Sequence, residues 1–356
     1  MASPDPDANR APNAPNAPDA PDAPDAPIVP NSPIVPSTRS DRAPPIPASP
    51  GDTQAYRPRT ADTSEFLTIR GLRYHLRTWR TAGSKPASPE RLLVLLHGWM
   101  DVSASFQFVV DALQGRWRVV APDWRGFGLT EGSPGREEAI DSYAFADYLG
   151  DLDALLDALS PDAPARIAAH SMGGNVAMLY AGVRPQRVAG LVNLEGFGLP
   201  GSDPARAVLR YRRWLDELKT PFSLRSFASL DEVAARLVKT NPRLPRDKAL
   251  YLASHWSRPV QDRLVLRADA AHKRINPVPY RVDEALSCWG AIEAPVLWVQ
   301  SRDRDRHHEY TKSDDYRRRL SVIKRLQEVD VADAGHMLHH DQPGRIAGLI
   351  EDFFSR

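Results

Sequence analysis

Several short stretches of this sequence are apolar almost from end to end: RLLVLL (91–96), WRVVAP (117–122), ARIAA (165–169), VAGLVNL (188–194) and APVLWV (294–299). A strand with one wet face alternates polar and apolar residues. A run without that alternation belongs to a strand covered on both faces, as in a parallel sheet. Amphipathic stretches of helical spacing lie between these runs, at 103–115, 140–160, 172–183 and near 308–320, with another at 343–356. EFLTIRGLRYHLRTW (65–79) reads as two strands around a Gly turn, and IKRLQEVDV (323–331) as a last strand. Strands and helices in alternation give an α/β chain, a mostly parallel sheet with helices on both faces.

The rhythm is interrupted twice. Residues 1–50 hold 15 of the 33 prolines, in a loose repeat that includes NAPNAPDAPDAPDAP. Such a stretch buries too little apolar surface to offset its ordering entropy, so 1–58 reads as a disordered Pro/Ala/Asp-rich tail. From 200 to 285 the sequence is helical, polar and basic, with no strand expected. This places a helical cap between the sixth and seventh main strands, with the core formed by 59–199 and 286–356. Helical inserts at strand ends tend to cover a site. Tyr211, Trp214, Phe222, Phe227, Tyr251 and Trp256 in the insert could line an acyl pocket or bury the lid against the core.

Composition narrows the function classes. The net charge is +1, so no strong field attracts nucleic acid or an anionic membrane. No apolar run approaches the roughly 20 residues of a spanning helix, and MASPDPDANR lacks the apolar core of a signal peptide. Cys288 is the single cysteine, which excludes an internal disulfide and a thiolate metal cluster. The expectation is a cytoplasmic protein acting on a small molecule, without cofactor or metal.

RIAAHSMGGNVAMLY (166–180) carries the chemistry. A strand turns sharply into a helix at Ser171, with small residues at Ala169 and Gly173 where the two elements approach. The turn would hold the hydroxyl clear of the sheet at a helix N-terminus, where developing negative charge is favoured. A serine needs a base, and DAGHMLHHDQP (333–343) offers His336 on a Gly-bearing loop between the last strand and the last helix. His339 and His340 fall at the entrance to that helix, where capping or solvated roles are ordinary. Three histidines in five residues raise the thought of a metal, but no carboxylate or cysteine set elsewhere has ligand spacing. The acid that would orient the base is either Glu195, ending VAGLVNLE, or Asp303 or Asp305 in QSRDRDRHH. Glu195 is favoured, because a carboxylate ending an apolar strand needs a partner. An oxyanion needs two preorganised N–H donors, which Met172 and, after LLHG, Trp99 would supply. His97 reads as structural, as does Asp123 in APDWRGFGLT.

LLHGW, APDWRGFGLT, AAHSMGGNVA and DAGHMLHHDQP, in that order and spacing over about 59–356, resemble the α/β-hydrolase family. LVNLEGFGLP and ADAAHKRINPVPYR (268–281) are similar to a narrower group, the serine hydrolase-like proteins related to haloalkane dehalogenases and epoxide hydrolases. The resemblance implies an eight-stranded sheet and an acid at the end of the sixth strand. Dehalogenases and epoxide hydrolases use an Asp nucleophile, and Ser171 stands there instead, which points to acyl transfer. The expected function is hydrolysis of a carboxylic ester. The same residues would also suit carbon–carbon cleavage of a diketone, and some members of the fold only bind ligands.

Overall fold

The computed structural model describes residues 55–81, 91–130, 132, 140–220, 223–302 and 310–355. The main sheet contains β1 (Asp62–Ile69), β2 (Leu72–Arg80), β3 (Arg91–Leu96), β4 (Trp117–Pro122), β5 (Ala165–His170) and β6 (Val188–Leu194). After β7 (Ser226–Phe227), β8 (Ser257–Val260) and β9 (Arg263–Leu266), which form a separate sheet, come β10 (Val296–Ser301) and β11 (Leu326–Val331). The eight-stranded sheet has the order β1-β2-β4-β3-β5-β6-β10-β11. β1 and β2 are antiparallel and β2 pairs antiparallel with β4, while every other pairing is parallel.

The unbroken apolar runs are covered on both faces, as their composition requires. Along β3, Val94 and Leu96 join one core with α2 (Phe145–Leu159), α3 (Met172–Val183), α7 (Val282–Gly290) and α8 (Asp314–Ser321). Leu93 and Leu95 point the other way, into a core built with α1 (Gln107–Val110), α9 (Leu338–Asp341) and α10 (Pro343–Phe354). The period-two alternation of the strand is therefore spent on two dry faces rather than on one dry and one wet. The helix expected over 103–115 is shorter: a 3₁₀ turn at Ser103–Phe106 leads into the single turn of α1.

Strand order decides where a site can form. From β3 the chain moves to β4 on one side and then to β5 on the other. Loops leaving the carboxyl ends of β3 and β5 therefore diverge and open a crevice. Among the described residues six non-glycine residues have positive φ, and four of them cluster at this edge: Met100 after β3, Ser171 after β5, Glu195 after β6 and Asp333 after β11. Arg70 and Gln261, the other two, sit in the β1–β2 and β8–β9 turns.

Between β6 and β10 the insert holds α4 (Ala207–Leu218), α5 (Leu230–Thr240) and α6 (Arg246–Trp256). It is not wholly helical. β7, β9 and β8 form a three-stranded antiparallel sheet, a correction to the strand-free expectation. These strands have two to four residues, too few to show a period. Phe227, Val233, Leu237 and Leu252 of the insert share a core with Phe108. Backbone bonds from Gly128 N–H to the Arg267 carbonyl (2.8 Å) and from Asp269 N–H to the Gly126 carbonyl (2.7 Å) stitch its end to the loop after β4. Of the tail expected over 1–58, residues 1–54 lie outside the described residues. Tyr56, also in that stretch, packs edge-on to Phe108 and Tyr251 and donates its hydroxyl to Asp111. No helix among the described residues is long and apolar enough to cross a membrane.

Two substitutions test this packing. A Cβ at Gly182 of α3 would stand 1.9 Å from the Cys288 carbonyl oxygen of α7. Gly182→Ala should destabilise the protein by about 2 kcal/mol, the usual cost of overpacking; an unchanged denaturation midpoint would mean that the two helices are not in close contact. At Ser171, φ 50° and ψ −115° are costly for any residue with a Cβ. Ser171→Gly should therefore raise stability by about 1 kcal/mol, after allowing for glycine's freer unfolded chain. A lower melting temperature for that variant would contradict the strain.

Candidate active site

Ser171 stands between β5 and α3, and small neighbours make room for its turn. A Cβ on Gly173 would meet the carbonyl oxygens of Leu96 (2.4 Å) and His97 (2.7 Å), so helix α3 rests directly on the end of β3. The turn is closed by Ser171 N–H to the Leu194 carbonyl (2.9 Å) and Asn175 N–H to the Ser171 carbonyl (3.0 Å). The Gly98 Cα is close as well: a Cβ there would lie 3.2 Å from the Ser171 Cβ, which puts the loop bearing Trp99 beside the serine. Met172 is the first residue of α3.

His336 faces this serine, with Nε2 3.0 Å from Oγ, and Nδ1 lies 3.3 Å from Glu195 Oε2. A carboxylate only accepts, so a hydrogen bond there puts the proton on Nδ1 and leaves the Nε2 lone pair toward the hydroxyl. Glu195 is 2% exposed, and its other oxygen accepts from the Ser301 N–H at the end of β10. The structure thus brings Ser171, His336 and Glu195 into one line. Asp303 and Asp305 lie outside the described residues.

Sequence reasoning missed how much imidazole is buried here. His170, next to the serine, donates from Nε2 to the His336 carbonyl (2.8 Å) and packs its ring 4.9 Å from the His336 ring. His339 and His340 are not solvated at a helix entrance, as their position suggested. They are buried in α9, with the Ser105 hydroxyl between their Nε2 atoms. Burial pushes His340 down to about 3 and His170 and His339 well below the usual imidazole range. Asp101 is buried nearby, and burial raises its carboxyl to about 7. Nothing in the local sequence around Asp101 signals this neighbourhood.

His97 and Asp123 hold loops. His97 accepts from Trp124 N–H at Nε2 (2.9 Å) and donates from Nδ1 to the Gly98 carbonyl (2.7 Å); burial lowers it to about 4. Burial alone would raise the Asp123 carboxyl. The His75 ring at 2.7 Å and the Ser103 and Leu129 N–H groups outweigh it and keep the group ionised.

The family model of the alpha/beta hydrolase fold matches residues 91–343. A protein of Bacillus subtilis described as AB hydrolase superfamily protein YfhM is 31% identical, covering 81% of this chain and 96% of its own length. A serine hydrolase-like protein of Danio rerio is 26% identical over 74% of this chain and 81% of its own. Among solved structures, a thioesterase domain from the curacin biosynthetic pathway superposes with a TM-score of 0.69 at 25% identity, covering 82% of this chain and 99% of that one. The chain therefore belongs to the alpha/beta hydrolase fold family and is a hydrolase of that superfamily.

Proposed function

We propose that this protein is a serine hydrolase that cleaves the carboxylic ester, or a similar acyl bond, of a small and largely apolar substrate. The observation that carries this reading is the line from Ser171 Oγ through the His336 ring to Glu195, at 3.0 Å and 3.3 Å. His336 Nε2 takes the Ser171 proton as Oγ attacks the substrate carbonyl carbon. The oxyanion that forms is held by the Trp99 and Met172 N–H groups. The leaving alkoxide departs with the proton from His336, giving an acyl-enzyme on Ser171. Water then attacks, His336 taking its proton, and the acid is released as Ser171 recovers its hydrogen. Glu195 holds the ring in the working tautomer and balances its transient positive charge. The named relatives, a serine hydrolase-like protein and a thioesterase domain, fit acyl chemistry.

The segment 200–285 serves in this reading as the lid. Its aromatics divide: Phe227 is buried in the insert's own core and Tyr251 packs on Tyr56 and Phe108. Tyr211 is 49% exposed and Trp214 partly so, which leaves these two on α4 as candidates for substrate contact. Phe222 lies outside the described residues.

A panel of nitrophenyl esters of graded acyl length tests the proposal, alongside labelling with a fluorophosphonate. Ser171→Ala should lose kcat by about 10⁴-fold or more and escape labelling, and Glu195→Gln should lose about 10⁴-fold while still folding. Wild-type turnover in Ser171→Ala, or no labelling of the unaltered protein, would end the proposal. A deeper loss in Asp305→Asn or Asp303→Asn than in Glu195→Gln would move the acid to that loop. Cleavage of a vinylogous diketone with no ester turnover would keep the residues and change the bond.

A further inference from the structure

The buried polar groups beneath the site include a set with no part in the steps above. Asp101, His339 and His340 each bring one candidate ligand atom to a common point, all within 4.8 Å of one another, and all three side chains are buried. Asp101 Oδ2 stands 3.9 Å from His339 Nε2. The Ser105 hydroxyl lies among them, 3.2 Å from His339 Nε2 and 2.5 Å from His340 Nε2. A hydroxyl has one proton, so it can donate to one ring or to the Asp101 carboxyl it also faces, and any ring bonded to it that does not receive that proton must donate to it. Asp101 Oδ1 accepts from the Val102 N–H (2.8 Å), but Oδ2, buried, has no hydrogen-bond partner, nor have the Nδ1 atoms of the two rings. The Ser105 hydroxyl and the Trp256 indole N–H both face the Asp101 carboxyl and favour its charged form, but neither completes a hydrogen bond to Oδ2. A buried carboxylate oxygen without a donor is costly, and a cation is one of the few groups that offsets it.

We propose that Asp101, His339 and His340, with the Ser105 oxygen as fourth donor, bind a divalent transition-metal ion, zinc by the character of the donors. Two imidazole nitrogens with one carboxylate and one hydroxyl suit a borderline ion of four-coordinate preference; calcium and magnesium favour a shell of oxygens, which two imidazoles do not supply. Ligand atoms around tetrahedral zinc sit about 3.3 Å apart, given bonds of about 2.0–2.2 Å. For an ion to sit among them, the Ser105–His340 contact at 2.5 Å must open and the Asp101–His339 separation of 3.9 Å must shrink, changes within reach of side-chain rotation. Such an ion would have a mechanical effect. Asp101 follows directly on the Trp99–Met100 turn, and His339 lies three residues beyond His336. Binding would fasten the loop after β3 to the loop that carries His336, so it would stabilise the edge of the sheet where the site lies.

The test uses the full chain, stripped with a chelator and dialysed. Cobalt(II) added as a spectroscopic stand-in should give the visible bands of a four-coordinate site, saturating at one ion per chain, and zinc should displace it. The melting temperature should rise with zinc concentration. Asp101→Asn and His340→Gln should each lose the stoichiometric complex while keeping the wild-type circular dichroism, and Ser105→Ala should weaken binding by about tenfold, like other losses around a metal ligand set. Failure of the unaltered protein to bind, or undiminished binding by both variants, would overturn the proposal. Should a variant not fold, anomalous scattering at the zinc edge from crystals of the wild-type protein grown with zinc decides. A peak within bonding distance of the three side chains supports the site, and its absence there refutes it.

Discussion

A serine forced to φ 50° is the constraint on which the rest of the molecule turns. That backbone costs on the order of 1–3 kcal/mol and persists only where its surroundings over-determine it. Here the serine N–H is held by Leu194 at the end of β6, and its carbonyl by the first turn of α3. The glycine at 173 lets α3 sit against the end of β3. Three parallel strands and one helix thus converge on one residue, and each of their ends is already committed by the dry cores on the two faces of the sheet. Relaxing the bend would mean moving a strand, which a close-packed interior resists.

The same edge is reinforced by buried polar groups, each tied by hydrogen bonds to distant parts of the chain. Asp123 joins the loop after β4 to β2 through His75 and to the 3₁₀ turn through the Ser103 N–H. Asp151 on α2 gathers Arg125, Arg70 and the Tyr74 hydroxyl. The His170 side chain reaches the carbonyl of His336, so the strand that presents the serine also holds the backbone of the histidine facing it.

Much of this was legible in the sequence because the signals are local. Unbroken apolar runs announce strands covered on both faces, and the small residues around Ser171 announce a tight strand-to-helix turn. The carboxylate ending VAGLVNLE raises the question of its partner before any coordinates exist. What stayed hidden depends on contacts between distant parts of the chain. Strands of two to four residues in the insert are too short to show a period. Tyr56 lies inside a proline-rich composition, yet its ring and hydroxyl are claimed by Phe108, Tyr251 and Asp111. The association of Asp101 with His339 and His340 is invisible to spacing rules, because the fold alone brings the loop after β3 against α9.

The position of the buried acid follows from the sheet order. β6 lies next to β5, and β10 lies next to β6 on the far side. A carboxylate at the end of β6 is therefore one strand from Ser171, about 5 Å in the sheet direction, whereas one at the end of β10 is two strands away and would have to reach back through a loop. Glu195 uses the nearer position, and β10 contributes something else: the uncharged Ser301 N–H, which donates to Oε1 and leaves Oε2 for the imidazole. With Oε1 tied to the Ser301 N–H, the plane of the carboxylate is held and Oε2 is turned toward the imidazole. In that arrangement the His336 ring sets Nδ1 toward Oε2 and Nε2 toward the serine at the same time.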